Sequence, residues 1–233
     1  VTKARLWGVV PAAGVGQRMG AACPKQYLPL AGATVIEHSV QALLDHPRIE
    51  RVVVALQAND ERAARLPLLS NPRVLRAQGG AERCDSVLSA LSALQKFAYD
   101  EDWVLVHDAA RPCVSAADIA ALVARTLESG LGAVLAQPVL DTLKQVDVEG
   151  RVTTTVDRQQ FWRAQTPQMF RFAELRSALQ RALAQGQLIT DEASAMEWAG
   201  YPVQVVEGSA SNIKITRPGD LELADYYLQQ IAQ

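Results

Sequence analysis

The stretch LWGVVPAAGVGQRMG (Leu6–Gly20) decides the fold. An apolar run, Leu6–Val10, leads into a loop with Gly14, Gly16 and Gly20, and Arg18 sits between the last two. A short continuous apolar run bounded by a glycine turn is the pattern of a strand buried on both faces of a parallel sheet. In open parallel sheets, ligands sit beyond the carboxyl ends of the strands, so this loop stands where a ligand is expected. Its spacing, G-x-G-x-x-x-G, is not that of a dinucleotide-binding turn. Pro24 would interrupt the helix such a turn opens, and the second strand ends too late to supply the ribose-binding acid. No Gly-Lys-Ser/Thr follows, which excludes a P-loop. The loop does carry two cations, Arg18 and, just beyond Pro24, Lys25. An isolated Arg or Lys is ordinarily a solvated surface charge. Two of them in one glycine loop, whose backbone N–H groups a phosphate can approach closely, suit a ligand with adjacent negative charges such as a nucleoside triphosphate.

Outward from this loop, short apolar runs alternate with helical patterns. Strands are expected at Arg51–Gln57, Val74–Ala77, Trp103–Asp108 and Gly132–Val139. Helices are expected at Thr34–Leu44, at Ser86–Lys96 and from Ser115 to about Ser129. Thr34 and Glu37 form a capping-box pair, and Ser115 is an N-cap. The alternation implies an α/β fold with a Rossmann-like, mostly parallel sheet flanked by helices on both faces. Asp141–Arg158 breaks the rhythm with alternating β-branched residues around Glu149-Gly150, a hairpin signal. An inserted hairpin has little of its own to bury, so a second subunit is expected to cover it. Helices at Phe172–Ala184 and Asp191–Ala199, strands at Val203–Glu207 and Asn212–Ile215, and a helix from Pro218 complete the expected order. The reading is one domain over residues 1–233 with a projecting arm at about 139–159.

Bulk composition agrees with a globular protein. The 233 residues are 49% hydrophobic and 21% charged, enough to bury a sizeable core. A formal net charge of −2 points away from nucleic acid and anionic membranes, so any cationic site must be local. Cys23, Cys84 and Cys113 are widely spaced and odd in number, which fits free thiols in a reducing cytoplasm better than a disulfide framework or a zinc site. No stretch approaches the ~20 apolar residues of a membrane span.

Nine strings, in order, make the reading more specific: PAAGVGQRMGAACPKQYLPLAG (Pro11–Gly32), GGAERCDSV (Gly79–Val87), VLVHDAARP (Val104–Pro112), PVLDTLK (Pro138–Lys144), TVDR (Thr155–Arg158), AQTPQMF (Ala164–Phe170), TDEASAMEWAG (Thr190–Gly200) and NIKITRPGDL (Asn212–Leu221), with VIEHSV (Val35–Val40) behind the first. Together they resemble the 2-C-methyl-D-erythritol 4-phosphate cytidylyltransferase family of the non-mevalonate isoprenoid pathway. The resemblance runs over nearly the whole chain.

It implies cytidylyl transfer from CTP to the phosphate of methylerythritol phosphate, with Mg²⁺ or another divalent cation held mainly by the CTP phosphates, in a cytoplasmic homodimer. Arg18 and Lys25 match the cations that stabilise the transition state, and Lys214 and Arg158 match residues that position the acceptor. Pro11, Ala12, Ala13, Gly14, Gly16 and Ala109 match backbone that holds the nucleotide. Gly80, Ala81 and Ser86 match the segment that reads cytosine. Ala81 is a departure, because relatives can carry an acidic residue there. Main-chain reading of the base survives that change; side-chain reading does not. Asp108 is implied to face the ribose, the acceptor hydroxyls or the metal's water shell. Arg111, Thr142 and Thr166 complete the acceptor set, with Thr142 and Arg158 reaching a neighbour's site from the arm. A cytidylyltransferase for another polyol phosphate, such as ribitol 5-phosphate, is the nearest alternative. A non-catalytic nucleotide-binding module would be expected to lose the loop cations, which this chain keeps.

Overall fold

The computed structural model describes residues 4–14 and 23–231. Gly16 and Arg18 of the sequence reading lie outside them. The first strand, β1 (Leu6–Pro11), alternates its side chains between two cores: Leu6 and Val10 face one, Trp7 and Val9 the other. Such a strand can only lie inside a sheet covered on both sides. Its neighbours β4 (Ile49–Leu56) and β6 (Trp103–Val106) run parallel to it, and β5 (Val74–Gln78) runs parallel to β4. β7 (Gly132–Pro138) and β11 (Val203–Glu207) form a second parallel pair. Between the two sets lies β10 (Trp162–Arg171), antiparallel to both β6 and β7. The sheet order is β11-β7-β10-β6-β1-β4-β5.

The helices start where the sequence supplies caps. In α1 (Val35–Leu44), the Glu37 carboxylate accepts from the Thr34 backbone N–H at 2.9 Å and from the Thr34 hydroxyl at 2.8 Å. The Ser115 hydroxyl accepts from Asp118 N–H at 3.0 Å to open α3 (Ala116–Ser129), and Gly130 ends that helix in the left-handed conformation. Helices α1 and α3 pack on one face of the sheet. On the other face lie α2 (Arg83–Leu94), α4 (Phe172–Ala184) and α5 (Glu192–Trp198). The last helix, α6 (Pro218–Ile231), joins a smaller cluster with Leu30, Val35, Cys113 and Ile215. Leu30 comes from a two-residue strand, β2 (Pro29–Leu30), which pairs with β3 (Ala33–Thr34). Among the described residues, no helix is long and apolar enough to cross a membrane.

Three differences from the sequence reading bear on the site. Helix α2 starts at Arg83, three residues before Ser86, because Asp85 accepts from Glu82 N–H at 3.0 Å and caps a polar first turn that apolar periodicity does not mark. The expected strand at Asn212–Ile215 is not a strand. Its alternating pattern is taken up instead by local turns, Asn212 N–H to Ser209 O and Ile213 N–H to Ser211 O, and by a bond from Ile215 N–H to Ala110 O. The third is β10, which pattern reading does not mark because Pro167 lacks a ladder donor. The ladder accommodates it. Ala164 pairs with Ala136 and Gln168 with Val134, so the register shifts across residues 165–167 and the proline sits in the irregularity.

The expected hairpin is present as β8 (Leu143–Val146) and β9 (Val152–Val156), a separate two-stranded sheet turned by Gly150 at φ 82°. It is inserted between β7 and β10, whose ends pair at Pro138 and Trp162.

Packing at the β7–β10 seam is tight. A Cβ added to Gly132 would lie 2.2 Å from the ring of Phe170, which is fully buried. Gly132→Ala is therefore expected to destabilise the protein by about 1–3 kcal/mol in urea unfolding. Gly219→Ala, at an open position in the first turn of α6, is expected to be neutral or slightly stabilising.

Candidate active site

Four loops at the carboxyl ends of the parallel strands enclose a cleft of about 260 Å³. The loop after β1 contributes Pro11, Ala12, Ala13 and Gly14, and Lys25 and Gln26 follow from the 3-10 turn at Lys25–Tyr27. The β5–α2 turn contributes Gly80, Ala81 and Glu82, with Arg83 and Ser86 from α2 itself. Asp108 and Ala109 come from the end of β6, and Lys214 from the 212–216 segment. A smaller pocket of about 190 Å³ adjoins the cleft and contains Arg111 and Thr166. Thr142 and Arg158 line neither. Both are exposed on the arm, where Arg158 donates to the Leu140 carbonyl.

Local chemistry shapes each wall. The Gln26 amide donates to the carbonyls of Ala12 at 3.0 Å and Gly14 at 2.9 Å, so a buried side chain holds the start of the glycine loop. Lys25 Nζ donates to the Ile215 carbonyl at 2.8 Å, which ties the loop cation to the segment bearing Lys214. At the β5–α2 turn, the Ser86 hydroxyl accepts from Gly80 N–H at 3.0 Å and donates to Glu82 O at 3.2 Å. Its hydrogen bonds thus shape the turn. Gly79 is required there, since a Cβ would come within 2.2 Å of the Ala13 Cβ across the cleft wall.

Charge converges on Asp108, whose carboxylate is almost fully buried. Arg83 Nε lies 3.0 Å from Oδ1, and Lys214 Nζ and Arg111 Nε lie 2.9 and 3.5 Å from Oδ2. Burial alone would push this carboxyl up. Arg83 first, then Lys214 and Arg111, override that and hold it well below the usual carboxylate range. Arg83 also grips Glu192 with both terminal nitrogens, at 2.6 and 3.0 Å. Three cations thus face the carboxylates of Asp108 and Glu192 where the cleft meets the smaller pocket, which Asp191 also lines. A compact cationic wall lined with backbone amides is equipped to bind and polarise phosphate groups.

A family model described as IspD, 2-C-methyl-D-erythritol 4-phosphate cytidylyltransferase, matches residues 6–230. Curated proteins of that name from Aeromonas hydrophila and Vibrio cholerae are 54% and 55% identical over 225 residues, covering 97% of this chain and 90% and 97% of their own. The crystal structure of the cytidylyltransferase from Francisella tularensis superimposes with a TM-score of 0.83 at 35% identity, covering 96% of this chain and all of that one. This chain belongs to the 2-C-methyl-D-erythritol 4-phosphate cytidylyltransferase family.

As a cytidylyltransferase it is a transferase of nucleotidyl groups. Arg83 and Glu192 are site residues that the sequence reading of this cytidylyltransferase did not single out, though both lie inside motifs that carry the resemblance. Their signal is a pair of charges at the first positions of two helices, visible only once the helix starts are known. His107 is fully buried, and burial lowers its pKa to about 4, so the ring is neutral at physiological pH. Its Nε2 faces the Arg111 carbonyl at 3.0 Å and must carry the proton there. Nδ1 then accepts from the Thr166 hydroxyl at 3.0 Å, and that oxygen accepts from Asp108 N–H, also at 3.0 Å. Thr166 thus joins His107 to the Asp108 backbone and fixes the loop after β6.

Thr166→Val strands the Asp108 N–H and His107 Nδ1, and is expected to cost about 1–3 kcal/mol in chemical denaturation, whereas Thr166→Ser retains most of the stability. His107 is lowered in the folded state from its ordinary 6.5 to about 4. Its contribution is present above pH 6.5 and is lost as pH falls toward 4, with a slope of up to about 1.4 kcal/mol per pH unit. Denaturation at pH 7, 5.5 and 4.5 measures that slope, which is expected to flatten in His107→Gln.

Proposed function

We propose that the cleft binds CTP and the smaller pocket binds 2-C-methyl-D-erythritol 4-phosphate. The enzyme transfers the cytidylyl group to the acceptor's phosphate, giving 4-diphosphocytidyl-2-C-methyl-D-erythritol and pyrophosphate in isoprenoid precursor biosynthesis. The observation that carries this reading is the shared wall, because Arg83, Asp108 and Lys214 line both pockets. Two anionic substrates, one on each side, would meet across it. An acceptor phosphate oxygen forms a bond to the α-phosphorus while the bond to the bridging oxygen breaks, and that electron pair leaves with pyrophosphate. A phosphate monoester has its second pKa near ~6, so the nucleophile is already an anion at neutral pH and needs no general base.

The work left to the protein is positioning and charge stabilisation. Lys25 stabilises the charge that moves from the α-phosphorus onto pyrophosphate, a role that Arg18 shares on its match to the family's loop cation. The backbone of Pro11–Gly14 and Ala109 holds the nucleotide, with the Ala13 and Gly14 N–H groups as donors because Pro11 has none and Ala12 N–H is taken by Ala55 O, and the Gly80–Ala81 turn, held by Ser86, reads the cytosine edge through its main chain. Lys214, Arg111 and Thr166 hold the acceptor, and Asp108 receives its hydroxyls or the ribose. Among the described residues, no group of three or more His, Cys, Asp and Glu side chains could hold a metal ion. The donor chemistry fits a Mg²⁺ that would be carried by the triphosphate oxygens and water, with Asp108 the carboxylate that would meet its water shell. Such an ion supplies neutralisation of phosphate charge.

The arm supports a homodimer. Leu140, Val146, Val148 and Val152 are exposed on it, with Phe161 and Trp162 at its base. A two-stranded ribbon with that many uncovered apolar side chains is marginal by itself, and a second copy of the chain is the occupant we assign. Arg158 and Thr142 then act in the partner's site. We read residues 1–233 as one catalytic domain carrying this arm at about 139–159. The free thiols of Cys23, Cys84 and Cys113 are in keeping with a cytoplasmic location.

Purified protein with CTP, Mg²⁺ and methylerythritol phosphate is expected to release pyrophosphate; turnover only with ribitol 5-phosphate would replace the acceptor. Lys25→Ala is expected to lower kcat by about 10²-fold, as for loss of a preorganised transition-state donor, and an effect confined to KM would make Lys25 a binding residue only. Arg158→Ala and Lys25→Ala subunits, each impaired alone, are expected to recover activity when mixed as heterodimers.

A further inference from the structure

Arg83 opens α2 and Glu192 opens α5. Both helices contribute to one apolar core, each in contact with α4. The Arg83 guanidinium is fixed from two sides. Glu192, 1% exposed, takes both terminal nitrogens in a forked pair, and Nε is left for Asp108 at 3.0 Å. Arg111 is held differently. Its Nη1 donates to the Asn212 carbonyl at 2.7 Å, and its Nε stands 3.5 Å from Asp108, beyond good hydrogen-bond range. Lys214 is the third cation on Asp108 and the most exposed, with 40% of its side chain open to the pockets.

These contacts set a charge problem for the proposed reaction, on which this inference rests. Lys214 at rest belongs to Asp108, yet it has to serve the acceptor's phosphate. When it turns to that phosphate, a buried carboxylate loses a counter-ion, which is strongly unfavourable unless another cation remains. Of the two cations that remain, Arg83 is the one within hydrogen-bond range of Asp108, at 3.0 Å against 3.5 Å for Arg111, and Glu192 prevents it from following. We propose that Arg83, locked by Glu192, is a positioning residue that keeps Asp108 compensated while Lys214 passes from Asp108 to the acceptor phosphate. Without Arg83, Asp108 retains Lys214 and competes with the acceptor for it.

The test uses steady-state kinetics of the intact enzyme with both substrates varied. Arg83→Gln is expected to raise KM for methylerythritol phosphate by about tenfold or more while KM for CTP stays within about twofold. Arg83→Lys, which leaves a cation beside Asp108, is expected to recover most of that loss. In a Lys214→Gln background, Arg83→Gln is expected to add little, because the lysine through which it acts is gone. Should Arg83→Gln not fold, Arg83→Gln/Glu192→Gln leaves no unpaired charge at Glu192 and carries the same expectation. The inference is overturned if acceptor KM is unchanged, if both KM values rise together, if Arg83→Lys is as impaired as Arg83→Gln, or if the Arg83 and Lys214 effects multiply. A wild-type enzyme inactive with this acceptor would instead undo the proposed reaction itself.

Discussion

A buried carboxylate held among cations from separate parts of the chain is the constraint on which the rest of the architecture depends. Asp108 stays ionised inside the protein because α2 delivers Arg83, the 212–216 segment delivers Lys214 and its own loop delivers Arg111. Each delivery has a structural cause. Asp85 caps α2 so that Arg83 is its first residue. The 212–216 segment is secured by Ile215 N–H on Ala110 O and by the Asn212 amide donating to Thr166 O at 2.8 Å. Thr166 in turn pins Asp108 N–H. The carboxylate, its cations and the loops that carry them form one mutually dependent unit, so disturbing one member is felt by the others.

Much of this was legible in the chain, and the reasons are physical. The parallel strands are continuous apolar runs, which identify themselves without alignment to a partner. Caps at Thr34–Glu37 and Ser115 mark helix starts because side-chain oxygens there replace missing backbone partners. The glycine loop and Lys25 point to a phosphate ligand from sequence alone because few other ligands call for close backbone approach beside paired cations, and the proposed function rests in part on that reading. The acceptor residues, by contrast, were named through family resemblance, since a lone Thr142 or Arg158 has no local signature.

What was not legible depends on tertiary geometry. Strand β10 hides behind Pro167, which is tolerated only because the ladder shifts register around it. The sequence around Ile215 alternates like a strand, yet tertiary bonds to Ala110 and Thr166 fix it as an extended connection. Arg83 and Glu192 lie more than a hundred residues apart in sequence. Nothing local announces that two helix starts on one face of the sheet will bring them into a bidentate pair.

The placement of the arm follows from the direction of β10. Because that strand runs against its neighbours, its first residues lie at the rim where the parallel strands end, and the insertion leaves and rejoins the body there. Pro138 and Trp162 pair at the point of departure, so the sheet closes beneath the insertion before the hairpin begins. Residues can be added to or removed from the tip without forcing a register change on β7 or β10, and only the reach of the arm is altered. The sheet and cleft are free to remain constant while the length of the projection varies.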